Sequence, residues 1–260
     1  MPVVDRVRLK LPYWRGLSVV NGMDERKQGM KFVSIVGDSI STYEGYNPYG
    51  FAVYYDRGMQ ELNGLHSVYD AWWAKVNQRL RAYLCVNNSY SGSRVSGKIF
   101  PAGESEERIL NLRTDKYNPD IILIYIGFND FGNGISIRHD SVFRRYRNDS
   151  DTFEDAYNNM LRSIKKYYQN ATVACGTLMR TVIKYDSEWS FPERLYGIPY
   201  EDYNDAIRRA CRDNGCHLAD LTASDIRYET LDGTHPTIRG HDTIAGEWIK
   251  SLGALGFLND

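Results

Sequence analysis

Apolar residues along the 260-residue chain gather into several short runs, five of which read as strands. These five lie at 32–36 (FVSIV), 84–87 (LCVN), 121–126 (IILIYI), 172–175 (TVAC) and 216–218 (CHL). Runs of this length without polar alternation suit strands buried on both faces. Between them, apolar positions recur every three or four residues, the spacing of a helix with one buried stripe. One stripe holds Trp72, Trp73, Val76, Leu80 and Leu84 behind a Ser67/Asp70 capping box. A second holds Ala156, Met160, Leu161 and Ile164, opened by Thr152 with Asp155. A third covers about 200–213 and stops at Gly215, a residue suited to a helix C-terminus. The last begins after Pro236, where a missing N–H does no harm, and continues through Ile244, Ala245, Trp248 and Ile249.

Alternation of strand and helix predicts an α/β fold, a parallel sheet covered by helices on both faces. No repeat, low-complexity tract or Pro/Gly/Ser-rich linker divides the chain, so 31–260 reads as a single domain. Residues 1–30 stand outside the alternation and read as an N-terminal extension packed on its exterior. Three stretches, 41–66, 131–150 and 178–199, are too long for simple connections. Each follows a predicted strand and so borders the carboxyl edge of the sheet, where such proteins bind ligands.

Composition narrows the function. With 32 basic and 33 acidic residues the formal net charge is -1, which argues against a basic nucleic-acid surface or a polybasic membrane surface. Asp5, Arg6, Arg8, Lys10 and Arg15 interrupt the apolar stretches of the N-terminus, leaving no signal-peptide core. The longest apolar run, 121–128, is far short of a membrane span, so no membrane partner and a cytoplasmic location are expected. Oligomerisation does not follow from the sequence. Cys85, Cys175, Cys211 and Cys216 form no CxxC or Cys/His ligand set and read as small buried hydrophobes. No metal and no cofactor are expected, since HExxH, EF-hand, GxGxxG and GxxxxGK[ST] spacings are all missing. The 20 Tyr against 9 Phe are unusual, because Phe would serve a dry core equally well.

Chemistry-bearing blocks sit where the strands end. The first strand runs into Gly37-Asp38-Ser39 and the second into Ser91-Gly92-Ser93. The third runs into Gly127-Phe128-Asn129-Asp130, and Asp232-Gly233-Thr234-His235-Pro236 precedes the final helix. Singly, each could be turn chemistry or a helix start. Together they can converge at one edge. A serine hydroxyl needs a neighbouring base to become a nucleophile, and His235 is the base available. Asp232, three residues earlier, could hold the imidazole N–H and stabilise the imidazolium.

These four blocks, in this order, resemble the SGNH (GDSL-type) esterase family, named for a Ser, Gly, Asn and His matched here by Ser39, Gly92, Asn129 and His235. Ile40 replaces the Leu of the GDSL name, a conservative change. The resemblance extends from Phe32 to about Gly253. It implies a flavodoxin-like sheet of about five strands in the order 2-1-3-4-5. It also implies an oxyanion hole built from the Ser39 and Gly92 N–H groups and the Asn129 amide. Asp38 and Asp130 read as loop-fixing acceptors; His66, His139, His217 and His241 have no paired acid and read as structural.

The segment after Ser39 holds Tyr43, Tyr46, Tyr49, Phe51, Tyr54 and Tyr55. Either the rings pack this loop onto the domain, or they form a platform for sugar rings, with Tyr43, Tyr46, Tyr54 and Tyr55 as candidate substrate contacts. The loop also resembles that of bacterial SGNH hydrolases thought to act on O-acetylated carbohydrates. Arg138, Arg144, Arg145 and Arg147 read as a solvated basic edge, or alternatively as a site for an acidic sugar. The expected activity is hydrolysis of short acyl, chiefly acetyl, esters on a carbohydrate or similar small polar molecule. The alternatives are a lysophospholipase or acyl-thioesterase of the same family, and a carbohydrate-binding protein without catalysis.

Overall fold

The computed structural model describes residues 31–139 and 152–258. The N-terminal extension 1–30 and Arg144, Arg145 and Arg147 lie outside the described residues. The strands are β1 (Lys31–Gly37), β2 (Ala82–Ser89), β3 (Ile121–Tyr125), β4 (Thr172–Gly176), β5 (Thr181–Ile183), β6 (Arg194–Leu195), β7 (Ile198–Pro199), β8 (His217–Ala219) and β9 (Tyr228–Thr230). The helices are α1 (Arg57–Asn63), α2 (Trp72–Arg79), α3 (Glu106–Leu110), α4 (Phe128–Gly132), α5 (Phe153–Tyr167), α6 (Tyr200–Asn214) and α7 (Ile238–Ala254).

Five strands make a parallel sheet in the order β2-β1-β3-β4-β8, the doubly wound arrangement expected. β3 lies at its centre with every residue buried, which explains an apolar run without alternation. α2 packs with α7, while α5 packs with α6 and α3, so the sheet is flanked by helices. Trp72 and Trp248 stack within the first layer, centroids 5.5 Å apart.

Two local readings change. Leu84 belongs to β2, not to the preceding helical stripe: α2 ends at Arg79, and Arg81 turns the chain with φ 53. The Ser67/Asp70 pair opens a short 3-10 turn, Val68–Asp70, with Asp70 accepting the Ser67 N–H at 2.8 Å; extended Ala71 separates this turn from α2. The stretch 178–199 also carries structure of its own. β5 pairs in parallel with β9, and β6 with β7 in a small hairpin.

Candidate active site

Sheet register does most of the assembly. Gly37 aligns with Ser89 of β2 and with Tyr125 of β3, so three strand ends lie side by side. Ser39, Gly92 and Asn129 each follow within a few residues of those ends. β1 leaves the sheet through a crowded turn: a Cβ on Gly37 would lie 2.5 Å from Ser41 Oγ and 2.7 Å from Ser89 Oγ, so only glycine fits. Asp38 then caps the 3-10 turn Ser39–Ser41, accepting the Ile40 N–H at 3.0 Å.

The 232–236 loop is held by hydroxyl groups. Thr181 Oγ1 donates to the Gly233 carbonyl at 2.8 Å, Tyr228 Oη to that of Thr234 at 2.8 Å, and Tyr55 Oη to that of Pro236 at 2.7 Å. Asp232 Oδ1 accepts the N–H groups of Thr234 at 2.9 Å and His235 at 2.8 Å. His235 Nδ1 lies 2.7 Å from Asp232 Oδ2, and its Nε2 lies 2.9 Å from Ser39 Oγ. An ionised carboxylate only accepts, so Nδ1 carries the proton and Nε2 faces the Ser39 hydroxyl as the acceptor. Partial burial disfavours the Asp232 charge, but the hydrogen bonds from the His235 ring and backbone outweigh it and hold this carboxyl well below the usual range.

Across the cleft, Gly92 has φ 75, yet a Cβ there would meet nothing within 4 Å. The left-handed backbone, rather than lack of space, requires glycine. Among the described residues none accepts the Ser39 or Gly92 N–H. Asn129 Nδ2 donates to the Ser93 carbonyl at 3.0 Å and keeps a second N–H. Asp130 anchors α4 to the Gly92 loop by accepting the N–H groups of Val95 at 2.8 Å and Ser96 at 3.0 Å. Burial pushes both Asp38 and Asp130 up to about 6, and Asp38 Oδ2 has no hydrogen-bond partner among the described residues.

Arg108 is a member of this cluster that sequence reasoning missed. Its fully buried guanidinium donates to the carbonyls of Gly37 (2.5 Å), Asn88 (2.9 Å) and Pro101 (2.6 Å), to Asn88 Oδ1 (3.0 Å) and to Ser93 Oγ (3.2 Å). It therefore ties the strand that delivers Ser39 to the loop that carries Gly92. Burial lowers it to about 10. Within its Glu106-Glu107-Arg108 context it reads as solvated, and nothing in the local pattern marks it as buried.

The aromatic segment divides. Tyr43 and Tyr55 are buried and cannot serve as the expected platform: Tyr55 is committed to Pro236, and Tyr43 packs on Tyr46, which leans on Trp73. Tyr54 lies at the site, its ring parallel to that of His235. Tyr49 is 82% exposed and Phe51 43% exposed. Phe51 packs edge-on against Tyr90 and Phe100, and Ser91 donates to the Ala52 carbonyl, which brings this segment to the Gly92 loop. Trp189 is a further aromatic near the site, covering Gly233 so closely that a Cβ there would come within 3.0 Å of its ring. Its position in the long stretch 178–199 was the available signal.

Among the described residues no other histidine hydrogen-bonds Ser39. His241 is buried and accepts the Trp72 N–H at 3.2 Å; burial lowers it to about 3. His139 pairs with Asp155, His217 packs on Phe257, and His66 is exposed. Arg138 binds Glu154, and all four cysteines are free. No helix among the described residues is long and apolar enough to cross a membrane.

The sequence model of the GDSL-like lipase/acylhydrolase family matches residues 31–193, more than half of the chain. The chain belongs to that family. Membership makes it, in the general sense, a carboxylic ester hydrolase. Among solved structures, a protein assigned as a GDSL-like lipase from Bacteroides uniformis is 29% identical with a TM-score of 0.62, covering 87% of this chain and 97% of its own. A second from Bacteroides ovatus is 26% identical with the same TM-score, covering 88% and 100%. A family two carbohydrate esterase from Clostridium thermocellum shares the fold at 17% identity and a TM-score of 0.50, covering 88% of this chain and 65% of its own. No curated protein matches this GDSL-like hydrolase closely enough to count as a relative.

Proposed function

We propose that this GDSL-like hydrolase is a serine esterase that removes acetyl or another short acyl group from a carbohydrate or similar small polar molecule. The observation that carries the reading is the chain of contacts from Ser39 Oγ to His235 Nε2, and from His235 Nδ1 to Asp232. In this reading Ser39 Oγ attacks the ester carbonyl carbon while its proton passes to His235 Nε2. The carbonyl oxygen, now an anion, meets the N–H groups of Ser39 and Gly92 and the free N–H of Asn129. Collapse breaks the bond to the alcohol, which leaves with the proton from His235, and Ser39 holds the acyl group. Water then gives its proton to His235, attacks the acyl carbonyl, and releases the acid and the Ser39 hydroxyl.

Support for the substrate class comes from the rim. Partly exposed Phe51, beside the Gly92 loop, and partly exposed Trp189, over Gly233, offer aromatic faces of the kind on which sugar rings stack. The fold is shared with a carbohydrate esterase, which is compatible with such a substrate. The test is a series of aryl acetate, butyrate and octanoate with acetylated sugars alongside, using wild type and Ser39→Ala. The expected pattern is the highest kcat/KM for acetate, acetate release from the sugars, and a loss of roughly a thousandfold or more in Ser39→Ala. A preference for octanoate overturns the substrate class and favours the lysophospholipase or thioesterase reading. Activity that survives the substitution overturns the mechanism.

A further inference from the structure

Tyr54 makes two independent contacts with the His235–Asp232 pair. Its ring lies parallel to the imidazole, with centroids 3.4 Å apart and planes within 8°. Its hydroxyl donates to Asp232 Oδ2 at 3.0 Å, the same oxygen that accepts His235 Nδ1. With the two backbone donors on Oδ1, Asp232 therefore receives four hydrogen bonds, as many as a carboxylate has lone-pair sites. Tyr54 is itself held by its N–H bond to Thr42 Oγ1 at 2.9 Å and by edge-on contact with the buried Tyr55. Thr42 Oγ1 in turn donates to the Ser39 carbonyl at 2.8 Å. One short relay thus connects the serine turn, the tyrosine and the acid.

We propose that Tyr54 is a positioning residue of the hydrolytic machinery, one that saturates Asp232 and covers one face of His235, rather than a stacking platform for substrate. The proposal rests on the reading of Ser39, His235 and Asp232 given above. The hydroxyl fixes the carboxylate orientation that selects the Nδ1–H tautomer, and the parallel ring blocks rotation of the imidazole and keeps water from that face. Burial and the neighbouring Asp232 charge push the Tyr54 phenol up, so it remains a donor at every working pH. An ester approaching Ser39 meets the open side of His235, and aromatic contacts to its alcohol portion fall to residues other than Tyr54.

The sign of the electrostatic effect follows from the groups facing His235. These are Asp232 on its own loop, Tyr54 from the segment after β1, and Ser39 and buried Asp38 from the β1 turn. Removing the Tyr54 hydroxyl leaves Asp232 with one donor fewer and a stronger hold on the imidazolium.

The experiment uses Tyr54→Phe, which keeps the ring, and Tyr54→Leu, which keeps neither feature. Two readouts are taken: kcat and KM for aryl acetate across pH, and the titration of the His235 ring by NMR, assigned with His235→Asn. For Tyr54→Phe, kcat falls roughly three- to tenfold with KM within about twofold of wild type. The ring titration and the acid limb of the pH profile move upward together. Tyr54→Leu loses a further roughly tenfold in kcat. A raised KM with unchanged kcat and an unmoved titration makes Tyr54 a substrate contact and overturns the proposal, as does a titration unmoved in Tyr54→Phe. The ring titration needs no turnover, so a protein that hydrolyses no ester defeats the functional reading while the role of Tyr54 is still decided.

Discussion

Asp38 is buried with one carboxylate oxygen accepting the Ile40 N–H and the other without a partner, which favours its neutral form. The folded protein holds this proton up to about 6, whereas the unfolded chain releases it near 3.8. Between those values the folded state binds more protons, so stability falls as pH rises and levels off above about 6. Asp38→Asn removes that penalty and keeps the acceptor. It is expected to stabilise the protein by about 1–3 kcal/mol at pH 7.5 and by much less near pH 4, measured by urea unfolding; a variant less stable than wild type at pH 7.5 contradicts the assignment. Hydroxylated rings answer the tyrosine question at the same scale. Tyr55, Tyr200 and Tyr228 are buried rings whose hydroxyls bind the carbonyls of Pro236, Met179 and Thr234, satisfying loop groups that Phe would leave bare. Part of the surplus therefore serves to fix loops; of the tyrosines expected to contact substrate, Tyr54 lies against His235, while Tyr43 and Tyr55 are buried. Ser39, Gly92, Asn129 and the 232–235 pair could be picked out because each follows a strand or precedes a helix in a recognisable block. Arg108 could not, because burial of a lone arginine is set by tertiary contacts; for Trp189 the long stretch 178–199 marked the region but not the residue, since the path of a long loop is set the same way.

Helices gain cross-ties from charges placed at their ends. Glu154, in the first turn of α5, receives Arg138 at 2.6 Å and Arg209 of α6 at 2.9 Å. Its partial burial opposes ionisation, but the hydrogen bonds from Arg138 and Arg209 outweigh that and hold it at about 2, against 4.5 unperturbed. The stabilisation is present above 4.5 and lost as pH falls through about 2. Glu154→Gln should cost about 1–3 kcal/mol at pH 7, with the difference from wild type shrinking as pH approaches 2; urea midpoints across that range check it. β1, β3 and β4 were legible as apolar runs because both of their faces are covered, and α5 and α6 because a capping residue opens the one and a terminal glycine closes the other. β5, β6, β7 and β9 were not, since two or three residues carry no period. Leu84 misled for a related reason: its spacing continues the α2 stripe, and only the left-handed turn at Arg81 breaks it.

At the scale of the molecule, parallel register brings the carboxyl ends of β1, β2 and β3 level, and the β5/β9 pair sets the 232–236 loop opposite them. Groups separated by as many as 196 positions, Ser39 and His235, thereby meet within a hydrogen bond. The same edge gathers buried Asp38, Asp130 and Arg108 behind the nucleophile, while Tyr54 and Trp189 lie against the 232–235 loop. The most direct test of this account is labelling with a fluorophosphonate, followed by intact-mass measurement, peptide mapping and assay of aryl acetate hydrolysis on the same sample. The account requires one adduct, on Ser39, with hydrolysis lost in proportion to labelling and no adduct in Ser39→Ala. Hydrolysis that continues undiminished after Ser39 is fully labelled would contradict it.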